Sequence, residues 1–316
     1  MSPEFGGDKA TTADILQSFA VMRAHGVRFY ESFMSIQELA DTSAVCGATV
    51  PVRHRVLGPR GFVAAGVLAT LADEALASAL MSAIGEPSRL ATIGLMVQVV
   101  RETPATQIQA EAEVVSLARR TGVARCKMTD ERGNIAAIAT GTFTIRRVKT
   151  GDPRLFAEQG DATGDSRLQP VPLHDLTQQE RSIFQHMERG FGATSQDGPF
   201  ADYLGIEWNR RGDGESSGRW PLGPHIWNST GAVHGGSICG ALGVAALACI
   251  PGDPPGRILE QHVQFVRPGH GDELHVEAHL LRQGQSVIFV HAAITDVSQK
   301  NIASALVTVR GTRPAR

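Results

Sequence analysis

Residues 228–236 read NSTGAVHGG and run directly into the apolar stretch SICGALGVAALACI. Apolar residues on nearly every side predict a buried helix over about 237–250. A helix start offers N–H groups with no intrahelical partner, together with the positive end of the dipole. Gly235 and Gly236 lack a Cβ, so donors there can come close to a carbonyl oxygen. Such donors stabilise the negative charge that an acyl carbonyl gains under attack. The attack itself needs a carboxylate, as base on a water or as nucleophile. Asp73 and Glu74 are adjacent acids in the apolar run VLATLADEALASAL (67–80), and a partly apolar setting favours the neutral acid and raises its pKa.

The two runs are copies of one segment. GPRGFVAAG (58–66) precedes the first as NSTGAVHGG precedes the second, at an offset of 170 residues, so that Gly61, Val63, Gly66 and Ala75 meet Gly231, Val233, Gly236 and Ala245. Downstream the offset settles near 166, where QVVRE (98–102) meets QFVRP and EAEVV (111–115) meets EAHLL. NIAA (134–137) meets NIAS at 167. A register held over so long a span marks a duplication. The copies differ where chemistry is concerned: Asn228 and His234 face Gly58 and Ala64 in the alignment.

Each copy predicts the same elements. A helix opens it, TTADILQSFAVMRAHG (11–26) in one and LTQQERSIFQHMERGFG (176–192) in the other. Thr11 with Asp14, and Thr177 with Glu180, have capping-box spacing, and Gly26 and Gly190 are stop signals. After the Gly-rich turn comes the buried helix, about 67–84 and 237–250. Alternating segments then predict strands at about 90–101, 107–119, 122–131 and 134–147, and at about 256–267, 273–283, 286–296 and 300–310. DERGN (130–134) and RQGQ (282–285) mark hairpin turns. The fold class is therefore α+β, an antiparallel sheet wrapped around a long central helix, twice in one chain. Domains are set at 1–148 and 173–316, with the Gly-, Asp- and Pro-rich stretch 149–172 as linker.

The 316 residues carry a net charge of −2 and are 42% hydrophobic. Neither nucleic acid nor a membrane surface is the expected partner. No apolar run reaches the roughly 18 residues of a membrane span, and the start of the sequence lacks the layout of a signal peptide. A cytoplasmic location is expected. Cys46, Cys126, Cys239 and Cys249 form no CxxC pair and read as reduced core residues. GESSG (214–218) fits the spacing of a nucleophile elbow, but a polar turn precedes it and RWPLGP follows, so it is set aside. His275 and His279 share a strand face without a third ligand, and no metal is expected. Arg101, Arg119, Arg120 and Arg267 are candidates for phosphate contacts.

The spacing of Asn228, then HGG six residues on, a long helix, an acid nine residues after the His position, and a Thr opening the next strand resembles the hotdog-fold acyl-CoA thioesterases of the phenylacetyl-CoA thioesterase-like branch. The ending TDERGNIAAIATGTF (129–143) is similar to the same branch. The resemblance covers about 28–147 and 196–311. It implies that two hotdog units pair, as an intramolecular pseudo-dimer here, with each site crossing their interface. One unit then gives the Asn and the helix N-terminus, and the other gives the acid and the Thr. Carried over, Asn228, His234 and Gly235 of copy two meet Asp73 and Thr92 of copy one, with Gly236 and Ser237 contacting substrate; the acid position falls on Asp73, and Glu74 is read as its neighbour. Asn228 would position a water and Thr92 would hold it against Asp73. His234 would join the chemistry or satisfy a backbone group at the helix start. The reverse site would hold only Gly58, Ala65, Gly243 and Ile258. The resemblance implies hydrolysis of an acyl-CoA to free acid and CoA, with no cofactor, and a possible homodimer of tandem chains. The alternatives are a hotdog hydratase or dehydratase using His234 and Asp73, and a non-catalytic acyl-CoA sensor.

Overall fold

The computed structural model describes residues 12–42, 45–148, 168–191, 196–251 and 256–311. Most of the expected linker, 149–167, and the Thr11 cap lie outside the described residues. The first copy runs α1 (Thr12–His25), α2 (Phe29–Met34), β1 (Gln37–Thr42), β2 (Val45–Pro51), α3 (Ala65–Ile84), β3 (Ser88–Val99), β4 (Gln107–Leu117), β5 (Thr121–Asp130) and β6 (Ile135–Arg147). The second repeats it as α4 (Gln178–Phe191), α5 (Pro199–Leu204), β7 (Glu207–Arg210), β8 (Glu215–Pro221), α6 (Gly235–Ala248), β9 (Arg257–Phe265), β10 (Glu273–Gln283), β11 (Val287–Thr295) and β12 (Asn301–Arg310).

All the strands join one 12-stranded sheet in the order β1-β2-β4-β5-β6-β3-β9-β12-β11-β10-β8-β7. That order is a palindrome under the duplication. The halves meet where β3 pairs antiparallel with β9, and Met96 sits opposite His262, its own counterpart at offset 166. A pseudo-two-fold axis therefore passes through that pair. Arg257 ties the seam by donating to the carbonyls of Val99 and Val100, each at 2.9 Å.

The two buried helices cross on the same axis. A Cβ on Gly66 would lie 2.5 Å from the Gly240 Cα, and one on Gly236 would lie 1.8 Å from Thr70 Oγ1. Those glycines let two apolar helices touch backbone to backbone. The strands alternate because one face covers the helices: along β10, Val276 and Ala278 are buried while Glu277 is exposed. The DERGN turn is held by Asp130, which accepts from the Arg132 and Asn134 N–H groups at 3.0 and 2.8 Å.

Two expectations are corrected. β1, β2, β7 and β8 were not predicted. GESSG, set aside as a nucleophile elbow, belongs largely to strand β8, where buried Ser216 donates to the Ala245 carbonyl at 2.8 Å. Helix α3 has 20 residues and is apolar enough in length and composition to cross a membrane, although no such run was expected. Its place here is inside the sheet, with Val67, Leu71, Ala75 and Leu76 fully buried. The four cysteines are free and buried.

Candidate active site

Helix α6 begins where His234 caps it. The His234 backbone is extended, and its Nδ1 accepts from the Gly236 N–H at 3.0 Å. An accepting Nδ1 carries no proton, so the ring proton sits on Nε2. Nε2 lies 2.9 Å from Glu74 Oε1 in the other half. The ring also stacks on Tyr30 at 4.6 Å between centroids, and the Tyr30 hydroxyl lies 2.7 Å from Thr70 Oγ1. Burial opposes charge on His234, but the Glu74 hydrogen bond and charge, with Asp73 and Glu31 nearby, outweigh it and raise its pKa.

Asp73 faces the same helix start. A Cβ on Gly235 would lie 3.0 Å from Asp73 Oδ2, so glycine is what lets α6 end against the carboxylate. Asp73 Oδ1 accepts from the Thr92 hydroxyl at 2.8 Å. Burial, then the charge of Glu74, pushes the Asp73 pKa up to about 6, against the lowering effects of His234 and Thr92. The Gly235 N–H has no hydrogen-bond partner among the described residues. It is a free donor at the positive end of a helix, beside a carboxylate tuned close to neutrality.

The structure thus brings Asp73 and Thr92 of one half against His234 and Gly235 of the other. The remaining candidates stand differently. Asn228 Oδ1 accepts from the Thr230 N–H, the Thr230 hydroxyl and the Ala232 N–H at 2.9, 2.8 and 3.1 Å, which pins the turn before α6. Only its Nδ2 is left to face a substrate or water. Gly236 packs on Thr70 and spends its N–H on His234. Ser237 is fully buried, beside the Tyr30 hydroxyl. At the start of α6, Gly236 and Ser237 are buried and Gly235 is partly exposed, so Gly235 presents the more accessible backbone donor.

Three residues were missed. Glu74 was read as a bystander yet anchors His234. Glu31, from α2, brings a carboxylate oxygen to within 4.8 Å of ligand atoms of Glu74 and His234. Among the described residues that trio is the group whose ligand atoms come close enough to hold a cation, although its shortest contact is the direct His234–Glu74 hydrogen bond. Tyr30 is the third. One signal was available: the same offset of 170 pairs Tyr30, Glu31 and Glu74 with Phe200, Ala201 and Val244, so polar groups sit on one side only.

A sheet closed around two crossed helices, with a carboxylate facing a helix N-terminus across the axis, defines the hotdog class and an acyl-transfer geometry. Family profiles agree: the thioesterase superfamily matches residues 60–137, and the acyl-CoA thioesterase N-terminal domain matches residues 224–312. With both halves matched, the chain belongs to the hotdog thioesterases, the class of thioester hydrolases. Among solved structures, a hot dog fold protein of unknown function from Alicyclobacillus acidocaldarius is similar over 88% of this chain and 96% of its own, with 15% identity and a TM-score of 0.57. A tesB protein of Mycobacterium avium subspecies paratuberculosis is similar over 87% and 96%, at 10% identity and a TM-score of 0.54. An acyl-ACP thioesterase from Bacteroides thetaiotaomicron is similar over 84% and 97%, at 10% identity and a TM-score of 0.51. These likenesses concern the fold. No curated protein matches the chain.

Proposed function

We propose that the protein hydrolyses an acyl-CoA at one composite site, shared between Asp73 and Thr92 of the first half and Asn228, His234 and Gly235 of the second. The thioester carbonyl oxygen accepts from the Gly235 N–H at the start of α6. Asp73, ionised, takes a proton from a water as the water oxygen bonds to the carbonyl carbon. Thr92 fixes the carboxylate through Oδ1, and the Asn228 NH2 orients the water. The tetrahedral intermediate then collapses, the C–S bond breaks, and the CoA thiolate leaves and is protonated. His234 acts as a positioning residue: held by Glu74 and stacked on Tyr30, it fixes the first turn of α6. We assign the phenylacetyl-CoA thioesterase-like branch on the Asn–HGG, acid and Thr pattern.

The observation that carries this reading is the Asp73 carboxylate, with a pKa of about 6, abutting the free N-terminal donor of the opposite helix. A general base contributes about 10²–10⁴ in rate. Release of free CoA thiol from a panel of short, medium, long and aromatic acyl-CoAs should therefore fall at least a hundredfold in Asp73→Asn. Turnover indifferent to that substitution would overturn the proposal. The dehydratase alternative needs His234 free to work with Asp73, and both of its ring nitrogens are engaged elsewhere.

A further inference from the structure

The duplication builds a second interface position related to the first by the pseudo-two-fold axis. There the structure has an open cleft between the starts of α3 and α5 and the middle of α6. Its walls are the counterparts of the polar cluster. Ala64 stands for His234, Phe200 for Tyr30, Ala201 for Glu31, Gly243 for Asp73, Val244 for Glu74 and Ile258 for Thr92, and all six line the cleft. Every replacement is apolar, and four of the six are smaller than the residue they replace. The side chains that fill the Asp73 side are what this side lacks, which is why the space is open.

Three polar features remain in or behind the cleft wall, the first being Asp197, whose carboxylate is paired with Arg211. With Ala64 as N-cap, no side chain captures the first N–H groups of α3. The Ala65 and Gly66 N–H groups have no partner among the described residues. Gln261 is 2% exposed, and its Oε1 has no hydrogen-bond partner although its Nε2 donates to the Cys239 carbonyl at 2.7 Å. That Oε1 lies 3.3 Å from where a Gly243 side chain would begin. An amide oxygen therefore stands near the place that a carboxylate holds in the other site. It accepts a hydrogen bond but takes no proton near neutral pH.

We infer that this twin cleft is a second acyl-thioester site that binds without turnover, with the acyl chain along its apolar wall and the carbonyl oxygen on the Ala65 and Gly66 N–H groups. The inference rests on reading the Asp73 side as an acyl-thioester site, since the shared framework is what selects the same ligand.

The test is equilibrium titration of the full chain with the ketone analogue of octanoyl-CoA, in which a methylene replaces the sulfur and no hydrolysis occurs. Wild type should bind two equivalents per chain. Val244→Trp fills the cleft, and Ala64→Asp caps α3 with a favoured N-cap residue that occupies its donors. Each should lose one equivalent, or weaken it at least tenfold, without a fall in melting temperature. If Val244→Trp disturbs the packing, Ala64→Asp carries the test alone. One equivalent in wild type, kept in both variants, overturns the inference and leaves the hydrolytic reading standing. A second equivalent that free octanoate displaces at the concentration where it fills the cleft by itself, while CoA without an acyl chain does not, also overturns it, because the cleft is then a carboxylate site. CoA release in the turnover assay judges the hydrolytic reading separately.

Discussion

At the scale of single residues, the site is a set of opposed effects on Asp73. Its base form appears as pH rises through about 6. The kcat/KM of thioester hydrolysis should therefore climb about tenfold per pH unit below 6 and level off above it. Thr92 stabilises the charged carboxylate, so Thr92→Val should move that limb upward by about one pH unit. Glu74 does the opposite by charge, so Glu74→Gln should move it down, while releasing His234 lowers the plateau. A pH–rate series on the three proteins checks all of this. Stability follows the linkage with its own sign. The folded state binds the Asp73 proton more tightly than the unfolded chain, so this group favours folding below about pH 4 and loses that contribution as pH rises through 6. Asp73→Asn should stabilise the protein at pH 8, on the order of 1–2 kcal/mol after allowing for partial exposure, and have little effect at pH 4. Urea titrations at both pH values read the difference. Asp73, Thr92, Gly235 and His234 were legible as candidates, and as neighbours across the interface, because the two copies differ there. Glu74 was not, since neighbouring acids on a helix cannot be told apart without knowing which one faces the other half. The double duty of His234 was hidden for the same reason, as its partners lie 160 residues away or in its own backbone.

At the scale of elements, glycine sets how closely α3 and α6 approach. A Cβ on Gly236 would fall 1.8 Å from Thr70 Oγ1 and 2.9 Å from the Thr70 Cα, so backbone as well as side chain must move. Gly236→Ala should cost about 3 kcal/mol, the upper end for overpacking, as a lowered denaturation midpoint. The opening helices pack on each other through the α4 cap. Thr177 and Glu180 exchange hydrogen bonds of 2.8 and 3.2 Å, and Glu180 also receives Arg23 of α1 at 2.7 Å. Thr177→Ala should cost about 1 kcal/mol in the same measurement. The capping box, both core helices and eight strands could be read from periodicity and turn chemistry. The outer strands could not. β7 has only four residues, and ESSGRWP in β8 offers little alternation of apolar and polar side chains, because serine and glycine fill two of its three buried positions and only Trp220 is a large apolar one. Such segments become strands because a longer neighbour offers its edge, which no local pattern records.

At the scale of the whole molecule, the seam between β3 and β9 and the contact of α3 with α6 leave neither half with a surface of its own at the centre. Heating should give one transition, with calorimetric and van't Hoff enthalpies equal. Two separated transitions would show that the halves melt independently. The sequence shows two copies and a register, and the palindromic strand order follows once the copies are set about a two-fold axis. What it could not show is that the emptied copy keeps an open space. The opposition of Asp73 and Gly235 has a last consequence, for inheritance. In a dimer of identical units every substitution is made twice, so a residue harmful on one side of the axis cannot be kept for its benefit on the other. Joining the units in one chain removes that bond between the sides. Each half is then free to keep what only one partner needs, and the reactive cluster and its hollow counterpart can follow separate histories inside one fold.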